Sequence, residues 1–413
     1  MANNTGFTGF TGFTGFTGFT GFTGFTGFTG FTGFAAGPAG PATLGLTADA
    51  LTRSREALLG RPPRHDIQQN PPAPTPQPLR RWASSPDMAW QLPGAAPRWL
   101  SRVGPQIRVQ LCVTDTMARL KTSALGVARL RIEDEPSRGS LELTRPPAEV
   151  FTAQARRVES WAALRAERAP EILSQLSPPH AFWSSVLHLN PEIAPYTNEL
   201  VLAALELATI VVQKLKYECV VPRPSDLSSR VQPMIENPGF FAWPSGHATQ
   251  AFAVAELLAL LTLPDPPPGN APRRNGLVGQ EGHPWREARR QLMRQADRIA
   301  TNRVVAGVHY PADSEAGCEL GIWLAHVLAH GGAGDSGVAP ALGASYAFDR
   351  SKGDIHDFDV LRHLKDRSLT EESSVLSLRA PKGLGASVST PLQWLWAMAR
   401  QEWHAEGLLP TAC

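Results

Sequence analysis

Residues 198–217, NELVLAALELATIVVQKLKY, decide the fold. Between Val201 and Val212 the only charged residue is Glu206, and the apolar run ends shortly before Pro222. An apolar segment of this length predicts a helix buried in a protein core. It is too short for a membrane span, which needs about 20 predominantly apolar residues.

Four other segments also predict helices. Residues 245–263 and 313–330 are apolar and interrupted by single polar residues, so they predict two further core helices. Pro284 suits the first turn of a helix that extends towards Val305. From residue 148 onward apolar residues recur at helical spacing: Val150, Phe151, Val158, Trp161 and Leu164. These segments predict a core that is mostly helical.

A small β-hairpin is expected in front of the bundle. Apolar residues alternate with more polar ones between Ile107 and Val113, which predicts a strand. A second alternation sets Leu130 and Ile132 against arginines, and this segment could pair with the first one.

The chain is predicted to have four parts. Residues 1–36 contain ten copies of Thr-Gly-Phe, whose Gly-rich backbone predicts a disordered tail. Residues 37–105 have the Pro-rich composition of a linker. Residues 106–331 are expected to form the helical domain. Residues 332–413 are a C-terminal extension whose one amphipathic helix, 391–406, packs against the core or against a partner subunit.

Composition bounds the location and the partners. Charged residues make up 18% of the chain and the net charge is +2, so nothing indicates binding to nucleic acid or to an anionic membrane. The four cysteines are far apart, which argues against a disulfide framework or a zinc site. No signal peptide is evident at the N-terminus. We therefore expect a cytoplasmic protein that is not an integral membrane protein, and a homo-oligomer is left open.

Charged and hydroxyl side chains gather at the ends of the predicted core helices. Three segments contain them: KYECVVPRP (216–224), WPSGHA (243–248) and NRVVAGVHYPAD (302–313). Lys216, Arg223 and Arg303 are cations among core residues, where a charge is costly unless an anion compensates it. Ser245 and Gly246 stand at a predicted helix start, which offers a hydroxyl and free N–H groups. Together these residues predict a binding site for a tetrahedral oxyanion.

Two histidines add chemistry to this site. His309 has Asp313 four residues on, so one ring nitrogen can bond the carboxylate while the other keeps a lone pair. Such a histidine can be a nucleophile or a ligand to a metal oxyanion. His247 follows the Ser-Gly turn and can act as a general acid. Each residue alone has a structural explanation, as a helix cap or a core histidine, but their conjunction favours an active site.

The pattern Lys-x6-Arg-Pro, Pro-Ser-Gly-His and Arg-x5-His-x3-Asp resembles the type 2 phosphatidic acid phosphatase (PAP2) and vanadium haloperoxidase superfamily. The resemblance covers residues 216–313 and implies an all-α bundle. It departs from the family at Asn302, where serine is usual. The implied oxyanion ligands are Lys216, Arg223, Ser245, Gly246 and Arg303. The implied catalytic residues are His309 as nucleophile or vanadate ligand, His247 as acid and base, and Asp313 as the carboxylate that orients His309.

This resemblance implies either of two activities. The first is a vanadium-dependent haloperoxidase, which binds vanadate and uses hydrogen peroxide to oxidise halide. The second is a soluble PAP2-type acid phosphatase, which hydrolyses phosphomonoesters through a phosphohistidine and needs no cofactor. Helices that precede Lys216 and the aromatic residues of 240–243 favour the first, although those aromatics are also explained by core packing. A non-catalytic oxyanion-binding scaffold is a third reading, against which both histidines and Asp313 argue.

Overall fold

The computed structural model describes residues 97–125, 128–134, 139–176, 180–262, 284–333, 342–366 and 390–404. The predicted disordered repeat, and the predicted linker as far as residue 96, lie outside these residues. The proposed division of the chain into four parts stays a prediction.

The described chain is mostly helical, as predicted. Three sequence segments, 216–224, 243–248 and 302–313, contain the predicted site residues. The helices before them are α1 (Pro105–Arg119), α2 (Ala148–Trp161), α3 (Arg165–Ser174) and α4 (His180–Ser184). The helices that bear or follow these segments are α5 (Pro195–Cys219), α6 (Pro224–Leu227), α7 (Gly246–Thr262), α8 (Pro284–Val305), α9 (Pro311–Ala333), α10 (Val360–Asp366) and α11 (Pro391–His404).

A small sheet accompanies the bundle. Its strands are β1 (Leu120–Ala124), β2 (Arg129–Asp134), β3 (Gly139–Thr144) and β4 (Leu342–Ala347), in the order β1-β2-β3-β4. The first three strands are antiparallel and β4 runs parallel to β3. Alternate residues of β2 and β3 are buried in the core, which is the pattern of a sheet with one face packed.

The predicted strand at 107–113 is wrong, because these residues belong to α1. The buried apolar residues there are Val109, Cys112 and Val113, which follow helical spacing, whereas Ile107 and Leu111 are exposed. The second predicted strand is correct, since Leu130 and Ile132 are the buried residues of β2. The hairpin partners of β2 are β1 and β3.

Helix α7 lies at the centre of the bundle and packs against α5, α8 and α9. Every residue from 251 to 262 is buried, which explains why its sequence is apolar on all sides. Gly317 and Gly321 of α9 face it at close range, and a Cβ added to Gly317 would lie 2.7 Å from the Cβ of Ala248. The two glycines therefore let α9 approach the beginning of α7 more closely than larger residues would allow.

The C-terminal helix packs on the core of this same chain. Helix α11 contacts α5, α1 and α9. The carboxylate of Glu402 accepts hydrogen bonds from the backbone N–H groups of Tyr196 and Thr197, at 2.7 and 2.9 Å, in the first turn of α5. These N–H groups have no partner within the helix, so Glu402 completes the start of α5.

None of the helices in the described part of the chain is both long and apolar enough to cross a membrane.

Candidate functional site

The three sequence segments meet where four helices end or begin. Lys216 lies in the last turn of α5, Ser245 immediately precedes α7, Arg303 lies in the last turn of α8, and Asp313 lies in the first turn of α9. A backbone hydrogen bond of 3.0 Å from the N–H of Ser245 to the carbonyl of Asp313 joins the second segment to the third. Another, of 2.8 Å, joins Ala242 to the segment that follows Lys216.

A glycine turn fixes His309 relative to Arg303. Gly307 adopts φ +85°, the left-handed region that favours glycine. The N–H of Gly307 bonds the carbonyl of Val304, and the N–H of Val308 bonds the carbonyl of Arg303. These two bonds form a Schellman motif, which ends α8. A Cβ on Gly307 would lie 2.7 Å from an Arg165 nitrogen, so the turn also depends on a close contact.

Val220 makes the corresponding turn after α5. It adopts φ +48° and its N–H bonds the carbonyl of Lys216. A β-branched residue in this conformation is strained, which is a feature common at functional sites. The turn sends the chain through Pro222 to Arg223, which is buried on the same side of the bundle as Lys216.

Lys216 and Arg223 are held by main-chain carbonyl groups. The Lys216 ammonium donates to the carbonyls of Phe241 and Ala242, both at 2.7 Å. Arg223 donates through Nε to Phe240 and through Nη1 to Val308, at 2.8 and 2.7 Å. The Phe240 ring covers both cations, at 5.2 Å from the lysine nitrogen and 5.0 Å from the guanidinium carbon. Burial lowers the pKa of Lys216, and it lowers that of Arg223 to about 10.

Arg303 is fully buried and is held by neutral groups. Its Nη2 donates to the carbonyl of Ile172 at 3.1 Å and to the side-chain oxygen of Gln175 at 2.9 Å. Burial lowers the pKa of Arg303 to about 10. Among the described residues, no carboxylate forms an ion pair with Lys216, Arg223 or Arg303. The carboxylate of Asp313 acts on Lys216 and Arg223 without an ion pair to either, so three cations face one carboxylate and positive charge is in excess.

His309 and Asp313 form the hydrogen bond that their spacing predicts. Nδ1 of His309 lies 2.7 Å from Asp313, and Nε2 lies 3.1 Å from Nη1 of Arg223. A guanidinium can only donate, so Nε2 is the acceptor and the ring proton is on Nδ1. Burial, Arg223 and Lys216 lower the pKa of His309, which keeps the ring neutral with its lone pair on Nε2.

Both the side chain and the main-chain carbonyl of Asp313 accept hydrogen bonds. Its Oδ2 also accepts the N–H of Tyr310 at 3.0 Å, while its own carbonyl accepts the N–H of Ser245. Burial raises the pKa of Asp313, whereas the N–H of Tyr310 and the charges of Lys216 and Arg223 lower it. The carboxylate thus holds the His309 ring and also connects α9 to the start of α7.

His247 faces the same group of cations from the first turn of α7. Its Nε2 lies 3.2 Å from the carbonyl oxygen of Gln175. A carbonyl only accepts, so Nε2 carries the proton and Nδ1 is free to exchange one. Burial, followed by the charge of Arg303, lowers the pKa of His247 to about 3, and Lys216 and Arg223 contribute further. A bound anion would offset these charges and raise that pKa.

Ser245 and Gly246 start α7 as expected. Ser245 is buried, its carbonyl accepts the N–H of Thr249, and its Oγ accepts the N–H of Ala248 at 3.4 Å. A Cβ added to Gly246 would meet only Cγ1 of Val212, at 3.8 Å, which is an ordinary contact. Protein packing therefore does not require glycine at this position.

The buried donors fit an oxyanion. Arg223 Nη2, Arg303 Nε, Arg303 Nη1 and the Gln175 amide nitrogen are buried and have no hydrogen-bond partner in the described part of the chain. Unsatisfied donors of this kind cost about 1–3 kcal/mol each, and more when charged. Vanadate or phosphate would satisfy them and compensate the three cations, with His309 Nε2 as the available lone pair.

The side chain of Asn302 makes its hydrogen bonds within the protein. Its amide nitrogen donates to Glu171 and to Gln175, at 3.0 and 3.1 Å, and its oxygen accepts from Arg168 at 3.0 Å. Asn302, where the family usually has serine, thus connects α8 to α3 and to Gln175.

Sequence reasoning missed the contribution of α3. Gln175, at its C-terminal end, contacts both Arg303 and His247. A neutral amide more than a hundred positions from Arg303 carries no motif, so only the three-dimensional contact identifies it. Two arginines of α8 also form ion pairs across the bundle, Arg289 with buried Glu256 and Arg298 with Glu171.

Comparison with known protein families gives a match. Residues 203–331 match the family model described as the VCPO second helical-bundle domain. This match confirms the resemblance to the PAP2 and haloperoxidase superfamily over a segment that contains every residue predicted for the site. Helix α3 and Gln175 lie before the matched segment. A comparison with curated proteins gives no match.

Proposed function

We propose that this chain, which has a VCPO-type helical-bundle domain at residues 203–331, is a vanadium-dependent haloperoxidase that uses hydrogen peroxide to oxidise halide. The observation that carries the proposal is the group of three buried cations without carboxylate partners beside the lone pair of His309. The family match favours this activity over other uses of an oxyanion site.

In the proposed enzyme the oxyanion is held by residues that the fold already fixes. Lys216, Arg223 and Arg303 supply charge, and Ser245 and Gly246 supply a hydroxyl and a backbone N–H. Vanadate bound there would provide a Lewis-acidic centre that activates peroxide towards halide. Nε2 of His309, which lies 3.1 Å from Nη1 of Arg223, would be the atom that holds vanadate.

The remaining residues hold or exchange protons and exclude water. Asp313 keeps the ring proton of His309 on Nδ1, so the lone pair stays on the side of the cations. His247 holds a proton on Nε2 against the carbonyl of Gln175 and exchanges one at Nδ1. The ring of Phe240 covers two cations and limits the access of water to them.

The test is a paired assay on the purified chain. One arm measures bromide or iodide oxidation with vanadate and hydrogen peroxide, and the other measures hydrolysis of p-nitrophenyl phosphate without vanadate. We expect halide oxidation that depends on vanadate and is lost in His309→Ala. His188→Ala is the matched control, because His188 is exposed and should leave activity unchanged.

Phosphate hydrolysis inhibited by vanadate, without halide oxidation, would refute the proposal in favour of a PAP2-type phosphatase that works through a phosphohistidine. That enzyme would use the same lone pair of His309 and the same proton at His247. If neither activity is found and the chain binds neither anion, the site is not an oxyanion site.

A further inference from the structure

Among the described residues, Gln175 is the side chain that hydrogen-bonds Arg303, the cation for which burial alone shifts the pKa. Gln175 and Arg303 are 1% and 0% exposed, so their contact excludes water. We propose that Gln175 is a positioning residue, which fixes the Arg303 guanidinium by a neutral acceptor and so leaves its full charge for the oxyanion. This inference rests on the proposed oxyanion site and extends it beyond the matched domain.

The geometry shows how the fixing works. Both hydrogens of Arg303 Nη2 are used, one by the carbonyl of Ile172 and one by Oε1 of Gln175. Nε and Nη1 keep no acceptor among the described residues. The guanidinium is therefore held at one corner, and its other donors are left for a ligand.

Oε1 of Gln175 is itself fixed. It also accepts the amide of Asn302, whose nitrogen is shared with Glu171 and whose oxygen accepts from Arg168. Glu171 lies one turn before Gln175 on α3 and forms a two-bonded pair with Arg298. The negative charge of this network is thus paired at Arg298, and a neutral amide stands between it and Arg303.

A carboxylate in place of the Gln175 amide would still accept a hydrogen bond from Arg303, but it would neutralise the positive charge of that arginine. An arginine beside a carboxylate forms a strong ion pair, and a bound oxyanion would then face that negative charge. A neutral, non-accepting side chain would have the opposite effects: the charge stays, but Arg303 Nη2 and the Asn302 amide lose an acceptor. The two substitutions therefore separate positioning from general packing.

The test compares Gln175→Glu, Gln175→Met and the unaltered chain, with sulfate as the probe. Sulfate binding is measured by calorimetry and thermal unfolding is measured without the anion. We expect Gln175→Met to melt at the lowest temperature and to bind sulfate about tenfold more weakly, because one hydrogen bond to a charged group is lost. Gln175→Glu should melt at a higher temperature than Gln175→Met. It should nevertheless bind sulfate more weakly than Gln175→Met does.

This reversed order is the specific sign of positioning by a neutral acceptor. A purely structural role would make affinity follow the melting temperature, and that result would refute the proposal, as would unchanged sulfate affinity in Gln175→Glu. Leu173→Ala, an exposed neighbour on α3, is the control and should leave affinity unchanged. If the unaltered chain binds no sulfate, phosphate or vanadate, the oxyanion site fails and this inference fails with it. Absence of halide oxidation alone would affect only the proposed activity.

Discussion

Gly317→Ala should loosen the contact that joins α7 to α9 and thereby weaken the anion site. The added Cβ would lie 2.7 Å from the Cβ of Ala248 and 2.9 Å from the carbonyl oxygen of Ser245. Ordinary carbon contacts are about 3.5–4.0 Å, so the helices must separate by several tenths of an ångström. No rotamer change can relieve the clash, because the contacted atoms are backbone or Cβ.

The expected loss of stability follows from two opposing effects. Overpacking a core costs about 1–3 kcal/mol, and the clash with fixed atoms favours the upper end. Alanine gains about 1 kcal/mol over glycine within a helix. The free energy of unfolding should therefore fall by about 2 kcal/mol, as measured by chemical denaturation.

Anion binding should suffer as well. Separation of the helices stretches the hydrogen bond from Ser245 to Asp313, so sulfate should bind about tenfold more weakly. Gly239→Ala is the matched control, since no atom lies within 4 Å of its added Cβ. A Gly317→Ala protein with unaltered stability and affinity would refute the close-packing argument.

Other changes test the charges around the site. Arg289→Ala should destabilise the fold by about 1–3 kcal/mol, because the buried carboxylate of Glu256 then keeps only His326 as a charged partner. Arg290→Ala, which removes an exposed pair with Glu287, should have little effect. Equal effects on the denaturation midpoint would contradict this. The pKa of His247 is lowered from 6.5 to about 3, so the anion-free chain should lose stability as the pH falls through that range, and His247→Gln should remove this loss. Sulfate binding should take up a proton at His247, which calorimetry in buffers of different ionisation enthalpy would detect; equal proton uptake in His247→Gln would contradict the assignment. Gly246→Ala should leave the melting temperature nearly unchanged but weaken sulfate binding, and unchanged affinity would show that the anion does not approach this position.

The core helices could be predicted because long, continuously apolar segments indicate buried helices. The apolar runs of α5, α7 and α9 leave no polar face for solvent, and Pro284 marks the first residue of α8. Segment 107–113 was misleading, because Ile107 and Leu111 are apolar but exposed, so the alternation did not reflect burial. Its buried residues have helical spacing, which a count over a longer window would have shown.

The proximity of the titratable residues in the candidate site could also be predicted from the sequence, because it follows from short motifs at helix ends. His309 and Asp313 meet across four residues, as their spacing requires. Gln175 has no such signal, because its role depends on the path of α3 across the end of α8. The same holds for β4, which begins 198 positions after the end of its parallel partner β3 (342 − 144).

The contact of Glu402 with the start of α5 has a consequence for the order in which this protein is made. Glu402 lies 205 residues beyond Thr197, whose N–H it binds. At about 5–20 residues per second, the ribosome adds this carboxylate roughly 10–40 s after the helix that contains Lys216. The first turn of α5 therefore lacks this cap until α11 has been synthesised.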